Sequence, residues 1–183
     1  MDMHNLSGKL LIAVPGLEDT NFRHCVILVC EHSKEGAFGI ILNRILMNSF
    51  IPLLKAFDIK ETSVDMPIHF GGPVRPEQGY VIYQPFDRKY GALKIGRNIA
   101  VTASKEVLHD IAAGKGPKQY FFALGFAGWS ANQLEEELIM DSWLVAPLDT
   151  AVIFNLPVGD RWRHAASTIG VDLGRLVHRG GKA

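Results

Sequence analysis

Along the first half of the chain, short apolar runs alternate with clusters of glycine, proline and charged residues, the pattern of strands joined by tight turns. Lys9–Val14, Val26–Cys30, Gly39–Asn43, Ile68–Phe70, Gly79–Gln84 and Ile99–Thr102 each read as a strand. Tyr120–Leu124, Trp143–Ala146 and Ala151–Phe154 add further strands in the second half. Helical spacing shows at four places. Ser49 caps a short helix that tolerates Pro52 in its first turn and turns Leu53, Leu54 and Phe57 inward. Ser104 caps a second, with Val107, Leu108, Ile111 and Ala112 on one face and Gly114 as its stop. Ser130 and Gln133 spell a capping box, with Trp129 and Leu134 as the matching hydrophobic staple. Asp160 caps the last, whose Trp162, Ala165, Ala166 and Ile169 recur at helical spacing as far as Gly170.

The strands come in hairpin-like bunches with few helix-length connections between them. That order predicts an α+β fold, a largely antiparallel sheet curled into a partial barrel with about four flanking helices. The length of 183 residues suits one domain over 1–183, and no linker divides it. Residues 174–183 are basic and glycine-rich and read as a flexible tail.

Composition narrows the function classes. With 48% hydrophobic and 21% charged residues, the chain is too apolar for disorder. Lys plus Arg and Asp plus Glu number 19 each, so the net charge is zero. Together with the lack of a helix-turn-helix signature, this argues against direct nucleic-acid binding, though it leaves room for a local basic patch. Leu10–Val14 is cut off by Pro15-Gly16 and is too short for a signal peptide. The run Tyr120–Trp129 falls below the ~18 apolar residues of a membrane span. The expectation is a cytoplasmic protein away from membranes, with no cofactor and with an unidentified protein as its possible partner.

The two cysteines, Cys25 and Cys30, bracket one apolar run. On a strand their sulfurs face opposite ways and cannot pair, which fits a reducing compartment. Cys30-Glu31-His32 is the sharpest cluster. If the strand continues, Cys30 and His32 share a face, and an imidazolium beside a thiol favours the reactive thiolate. The competing reading makes Cys30 a small core residue and His32 the start of a turn. His24, Cys25, Cys30 and His32 are spread too far along an extended strand to close round a metal, so no metal site is expected.

Two glycine motifs offer ligand sites. Gly125-Phe-Ala-Gly128-Trp-Ser130 reads as a loop entering a helix, where free amides attract a small anion unless Ser130 simply caps. Gly71-Gly72-Pro73-Val74 reads as a tight turn, or as a backbone that admits a ligand near His69. Glu135, Glu136, Glu137 and Asp141 form an acidic face, and Arg161, Arg163, Arg175, Arg179 and Lys182 a basic cluster. Both read as solvated, with docking or phosphate binding as the alternative. No nucleophile elbow, H-E-x-x-H or S-x-x-K occurs.

The stretch Leu11–Phe22, Val29-Cys30-Glu31-His32, Gly36–Arg44, Gly71–Val74 and Gly125–Glu135 resembles the YqgE/AlgH-like family of bacterial proteins. Trp143-Leu144, Asp160–Trp162 and Gly170–Asp172 extend the similarity to roughly residues 6–173. The resemblance implies an α+β fold with a partly barrel-like sheet. It also implies a role in regulating transcription, without any agreed catalytic residues. Cys25 stands where the family more often has serine. The first expectation is therefore a non-enzymatic regulatory or interaction protein. The alternatives are a thiol-based sensor or enzyme using Cys30 with His32, and a binder of a small anion.

Overall fold

The computed structural model describes residues 5–177. In chain order the strands are β1 (Leu10–Ala13), β2 (Val26–Ser33), β3 (Gly36–Ile41), β4 (Ile45–Met47), β5 (Ile68–Phe70), β6 (Val74–Gln84), β7 (Leu93–Ile95), β8 (Ile99–Thr102), β9 (Gln119–Ser130) and β10 (Trp143–Ala146). The α-helices are α1 (Lys105–Ala112), α2 (Gln133–Ile139), α3 (Thr150–Phe154), α4 (Arg161–Ser167) and α5 (Leu173–Val177). Short 3-10 segments cover Ile51–Phe57, Arg88–Tyr90 and Val158–Asp160.

One sheet runs in the order β10-β1-β2-β3-β9-β6-β8-β7, with β4 and β5 attached at β9. β5 lies parallel to β9, and every other pairing among the described residues is antiparallel. β9 carries the architecture. Its C-terminal part pairs with β3, from Ala127 opposite Gly39 to Ser130 opposite Gly36, and its N-terminal part pairs with β6, from Leu124 opposite Gly79 to Gln119 opposite Gln84.

The sheet curls without closing. Leu10, Leu28, Ile40, Ile82, Val101 and Phe121, from six different strands, meet in one interior core. A β-carbon on Gly8, just before β1, would lie 3.5 Å from Ile95 Cγ2 in the last strand of the sheet order, so the two ends of the sheet approach each other. α3 and α4 plug the interior with Val152, Ile153, Ala165 and Ala166. The outer face of the β6–β9 half is covered by α1 and by Phe50 and Phe57. The outer face of the β1–β3 half is covered by α2 and its Leu134. Strands buried on both faces read as continuous apolar runs, which is why the sequence shows runs more than alternation.

The predicted fold class is the observed one. α1 is as predicted, with the Ser104 side chain accepting the Glu106 amide at 3.2 Å and its four apolar residues buried. Val107, Leu108 and Ile111 each stabilise the fold by about 1.5–3 kcal/mol when fully buried. Several expectations need correction. Ala151–Phe154, expected as a strand, lies in α3, where the Asp149 carboxylate accepts the Ala151 amide at 2.9 Å. A short apolar run does not distinguish a strand from a buried helix turn. The segment after Ser49 is a 3-10 helix. β4 and β7, three residues each, were not foreseen. The expected tail at 174–183 begins instead as part of α5 (Leu173–Val177), anchored by the buried Leu173, and 178–183 lie outside the described residues. No helix among the described residues is long and apolar enough to cross a membrane.

Candidate functional site

The thiol cluster does not assemble. In the β2–β3 register Val29 faces Gly39 and Glu31 faces Phe38, so Cys30 is the extra residue of a β-bulge. The bulge reverses side-chain parity beyond it. Cys30 joins the interior core with Leu28, against which Phe38 also packs. His32 lies opposite Ala37, on the outer face under α2. His32 Nδ1 accepts the Leu6 amide at 3.2 Å, which places the ring proton on Nε2, and Nε2 donates to Glu135 Oε1 at 3.0 Å. The expected shared face of Cys30 and His32 is thus undone by one extra residue. Burial, and then the Glu31 charge, push the Cys30 thiol up, and burial pushes Cys25 up to about 12. The two sulfurs sit in different cores, as strand parity requires.

The two glycine motifs meet each other. Gly125–Ser130 is not a loop, since it is the second half of β9 with Gly128 paired to Phe38 and Ser130 to Gly36. The capping box is also displaced. α2 begins at Gln133 after Asn132, and Gln133 Oε1 accepts the Ser130 amide at 3.0 Å without Ser130 capping the helix. Gly71 bridges two strands, its amide donating to Leu124 O at 2.8 Å and its carbonyl accepting the Ile41 amide at 2.9 Å. Gly125 has φ +72°, and a β-carbon there would come within 2.2 Å of the Gly72 carbonyl oxygen. These glycines let two backbones cross at contact distance.

The charged runs also change meaning. Glu135 is bound to His32, and Glu137 Oε2 accepts the indole N–H groups of Trp129 and Trp143 at 2.9 and 2.7 Å. Only Glu136 of the three is fully exposed. Arg161 is buried, donating to Leu156 O at 3.0 Å and to Leu42 O. Arg163 is exposed, Arg175 pairs with Asp172, and Arg179 and Lys182 lie outside the described residues.

A cleft of about 460 Å³ opens where the segment before β2, the segment after β3 and the start of α4 converge. Arg23, His24, Asn43, Arg44, Trp162 and Arg163 line it, with Asp160 as its one carboxylate. Each part is positioned. Asn43 ends the β3 run, its Oδ1 accepting the Val26 amide at 2.8 Å and its Nδ2 donating to the His24 carbonyl at 2.8 Å. That clamp holds His24 at φ +57°, a left-handed conformation that costs a residue with a β-carbon roughly 1 kcal/mol or more. So held, the His24 ring packs on Trp162, with centroids 4.3 Å apart. Trp162 is fixed by its own donation to Ala13 O at 2.8 Å. Arg44 donates to Thr20 O at 3.0 Å and to Arg23 O at 2.9 Å, so its guanidinium is held without a carboxylate. Burial, then the Arg23 and Arg44 charges, lower the His24 pKa from 6.5, leaving the ring neutral at pH 7.

The sequence marks Asp160, Trp162 and Arg163 at the last helix and, inside a motif, Asn43 and Arg44, but does not bring them to one place. It weighed His24 only as a metal ligand. The available signal was an Asn-Arg pair closing an apolar strand, and nothing local tied it to His24.

A sequence profile of the family described as AlgH-like matches residues 10–174. A UPF0301 protein of Nitrosococcus oceani is 41% identical over 172 residues, covering 92% of each chain. One of Methylococcus capsulatus is 43% identical over 179 residues, covering 96% of this chain and 95% of the relative. The solution structure of the AlgH protein from Pseudomonas aeruginosa superimposes with a TM-score of 0.81 at 35% identity, covering 100% of this chain and 98% of that one. A Corynebacterium diphtheriae protein shares the fold with a TM-score of 0.74 at 20% identity, over 93% of this chain and 91% of the other.

Proposed function

This chain belongs to the AlgH-like family, and from that premise we propose that it is a non-enzymatic regulatory protein whose input is a small polyanion held in the arginine-lined cleft. One observation carries the reading: three guanidinium groups and an imidazole line a single opening against one carboxylate. A fixed guanidinium in a recess binds a phosphate or carboxylate through paired N–H donors. A neutral imidazole beside it gains a proton when a dianion arrives.

The cleft joins three separate parts of the chain, so a bound anion would tie the loop before β2, the end of β3 and α4 together. That is a means of altering the surface seen by a protein partner. The concave shape and zero net charge favour a small ligand over a nucleic-acid duplex, which needs an extended basic stripe. The thiol-based alternative has no support from the placement of Cys30, which is buried in the interior core.

Thermal unfolding with pyrophosphate tests the reading, with sodium chloride at matched ionic strength as control. A ligand present at about 100 times its Kd stabilises by about 2.7 kcal/mol, which raises the melting temperature of a chain this size by several degrees. The expected result is such a rise for the wild type and its loss in Arg23→Gln and Arg163→Gln. No rise, or an equal rise in both variants, refutes the proposal. Stabilisation by duplex DNA with none by pyrophosphate refutes it in favour of a nucleic-acid binder.

A further inference from the structure

A second cleft, of about 350 Å³, lies on the β5–β9 side and shares no lining residue with the arginine cleft. His69 sits in its wall, only 5% exposed. Its Nδ1 lies 3.0 Å from the Phe122 carbonyl oxygen, an atom that only accepts, so Nδ1 carries the ring proton. Nε2 therefore presents a lone pair. It has no hydrogen-bond partner among the described residues, yet no fully buried side-chain nitrogen or oxygen there lacks one. Nε2 is therefore not sealed off, and His69 is one of the residues that line the cleft. Burial, and then the Arg161 charge, hold His69 down to about 4, so this lone pair is available throughout the neutral range.

The rest of the cleft has complementary chemistry. The His69 ring stacks on Phe121 with centroids 3.9 Å apart, and Phe154 and Met66 add apolar wall. Two charged residues line it, Asp65 and Lys118. Asp65 is already used, since its Oδ1 accepts the Phe50 amide at 2.8 Å and the Met66 amide at 2.9 Å. Lys118 is exposed. Gln119 and Tyr120 add polar side chains to the lining. Apolar wall from Phe154 and Met66, a buried imidazole acceptor that demands a donor, and an ammonium group together define a ligand class.

We infer that this cleft binds a small aromatic acid whose ring carries a hydroxyl or amino group. The ring lies against Phe154 and Met66, the ring substituent donates to His69 Nε2, and the carboxylate meets Lys118. The volume accommodates a one-ring or two-ring ligand of this kind. The site is independent of the arginine cleft, and either can fail without the other.

The probe is 4-hydroxybenzoate, followed by NMR of the backbone amides and the His69 side chain, with benzoate as the compound that lacks the donor. The expected result is saturable perturbation at His69, Phe121 and Lys118. Benzoate should bind about tenfold more weakly, the equivalent of one hydrogen bond. His69→Asn keeps a donor for the Phe122 carbonyl and removes the Nε2 acceptor, so it should bind 4-hydroxybenzoate about tenfold more weakly as well. His69→Gln, whose amide oxygen falls near the Nε2 position, should retain most of the affinity. Lys118→Gln, at an exposed position that leaves folding intact, should weaken both acids. Equal affinity for benzoate and 4-hydroxybenzoate overturns the inference, as does the lack of any perturbation up to about 10 mM probe, a concentration at which even one-ring ligands of ordinary efficiency bind.

Discussion

Asn43 holds His24 in place: its Nδ2 donates to the His24 carbonyl at 2.8 Å while its Oδ1 accepts the Val26 amide at the same distance. One side chain thereby satisfies the first amide of β2 and fixes a left-handed residue whose ring lies on Trp162. Removing it should damage both stability and the cleft. Asn43→Ala leaves the Val26 amide of a fully buried residue without a partner, and should cost about 1–3 kcal/mol in chemical denaturation. Asn43→Asp retains the acceptor but adds a negative charge to the cleft, so it should remain the more stable of the two while binding pyrophosphate less well. Binding by Asn43→Asp at wild-type strength would contradict the role given to this residue.

Because burial, then the Arg23 and Arg44 charges, lower the His24 pKa, an arriving dianion should draw a proton onto it. Sulfate, which does not itself titrate near neutrality, should bind more tightly as the pH falls towards the lowered His24 range. Calorimetry in buffers of different ionisation enthalpy should register proton uptake. His24→Gln should flatten the dependence, because the other charged groups that line the cleft, Arg23, Arg44, Arg163 and Asp160, include no second imidazole. A pH dependence that survives this change would assign the proton elsewhere.

Gly125→Ala places a β-carbon within 2.2 Å of the Gly72 carbonyl and forces an alanine to φ +72°. The clash is with backbone, which cannot swing aside. A loss of several kcal/mol is expected, enough to abolish cooperative unfolding or soluble expression. Gly16→Ala has no atom within 4 Å of the new carbon and should change stability by less than about 0.5 kcal/mol. Comparable melting temperatures for the two variants would rule out the crossing as the reason for Gly125.

His69 makes folding sensitive to acid in a defined window. Its native pKa is near 4 and its unfolded value is 6.5, so between these values the unfolded chain binds a proton that the native ring refuses. Its contribution is complete above pH 6.5 and is lost as the pH falls towards 4, a change of about 3 kcal/mol. His69→Asn should show a shallower loss over the same interval in urea titrations. Identical slopes for wild type and variant would contradict the neutral assignment.

The Cys30 thiol is buried in the interior core and donates to Leu28 O at 3.6 Å. In native protein at about pH 8, iodoacetamide should modify it at least a hundredfold more slowly than a free thiol, with the rate following transient opening. Rapid labelling in the folded state would restore the thiol-based reading.

The strand content was legible because strands buried on both faces write themselves as apolar runs, as in Val26–Cys30 and Ile99–Thr102. The limits are equally specific. β9 was read only as far as Leu124 because glycine at 125 signals a turn, whereas it is there to let the Gly72 backbone pass. The bulge at Cys30 comes from the pairing of β2 with β3, and no local pattern encodes it, so parity correctly separated Cys25 from Cys30 and wrongly joined Cys30 to His32. The arginine cleft draws on residues 23–24, 43–44, 158–160 and 162–163, which the sequence holds far apart and only the curled sheet brings together.

Polyanion binding in the arginine-lined opening, as proposed, is open to direct test. An amide and side-chain NMR titration with pyrophosphate addresses it site by site. The expected result is saturable shifts at Arg23, His24, Arg44 and Arg163 and at the Trp162 indole N–H, with the His69 cleft unmoved. Spectra unchanged at about 10 mM pyrophosphate, roughly 100 times a Kd of ~0.1 mM, or shifts centred away from these residues, would contradict it.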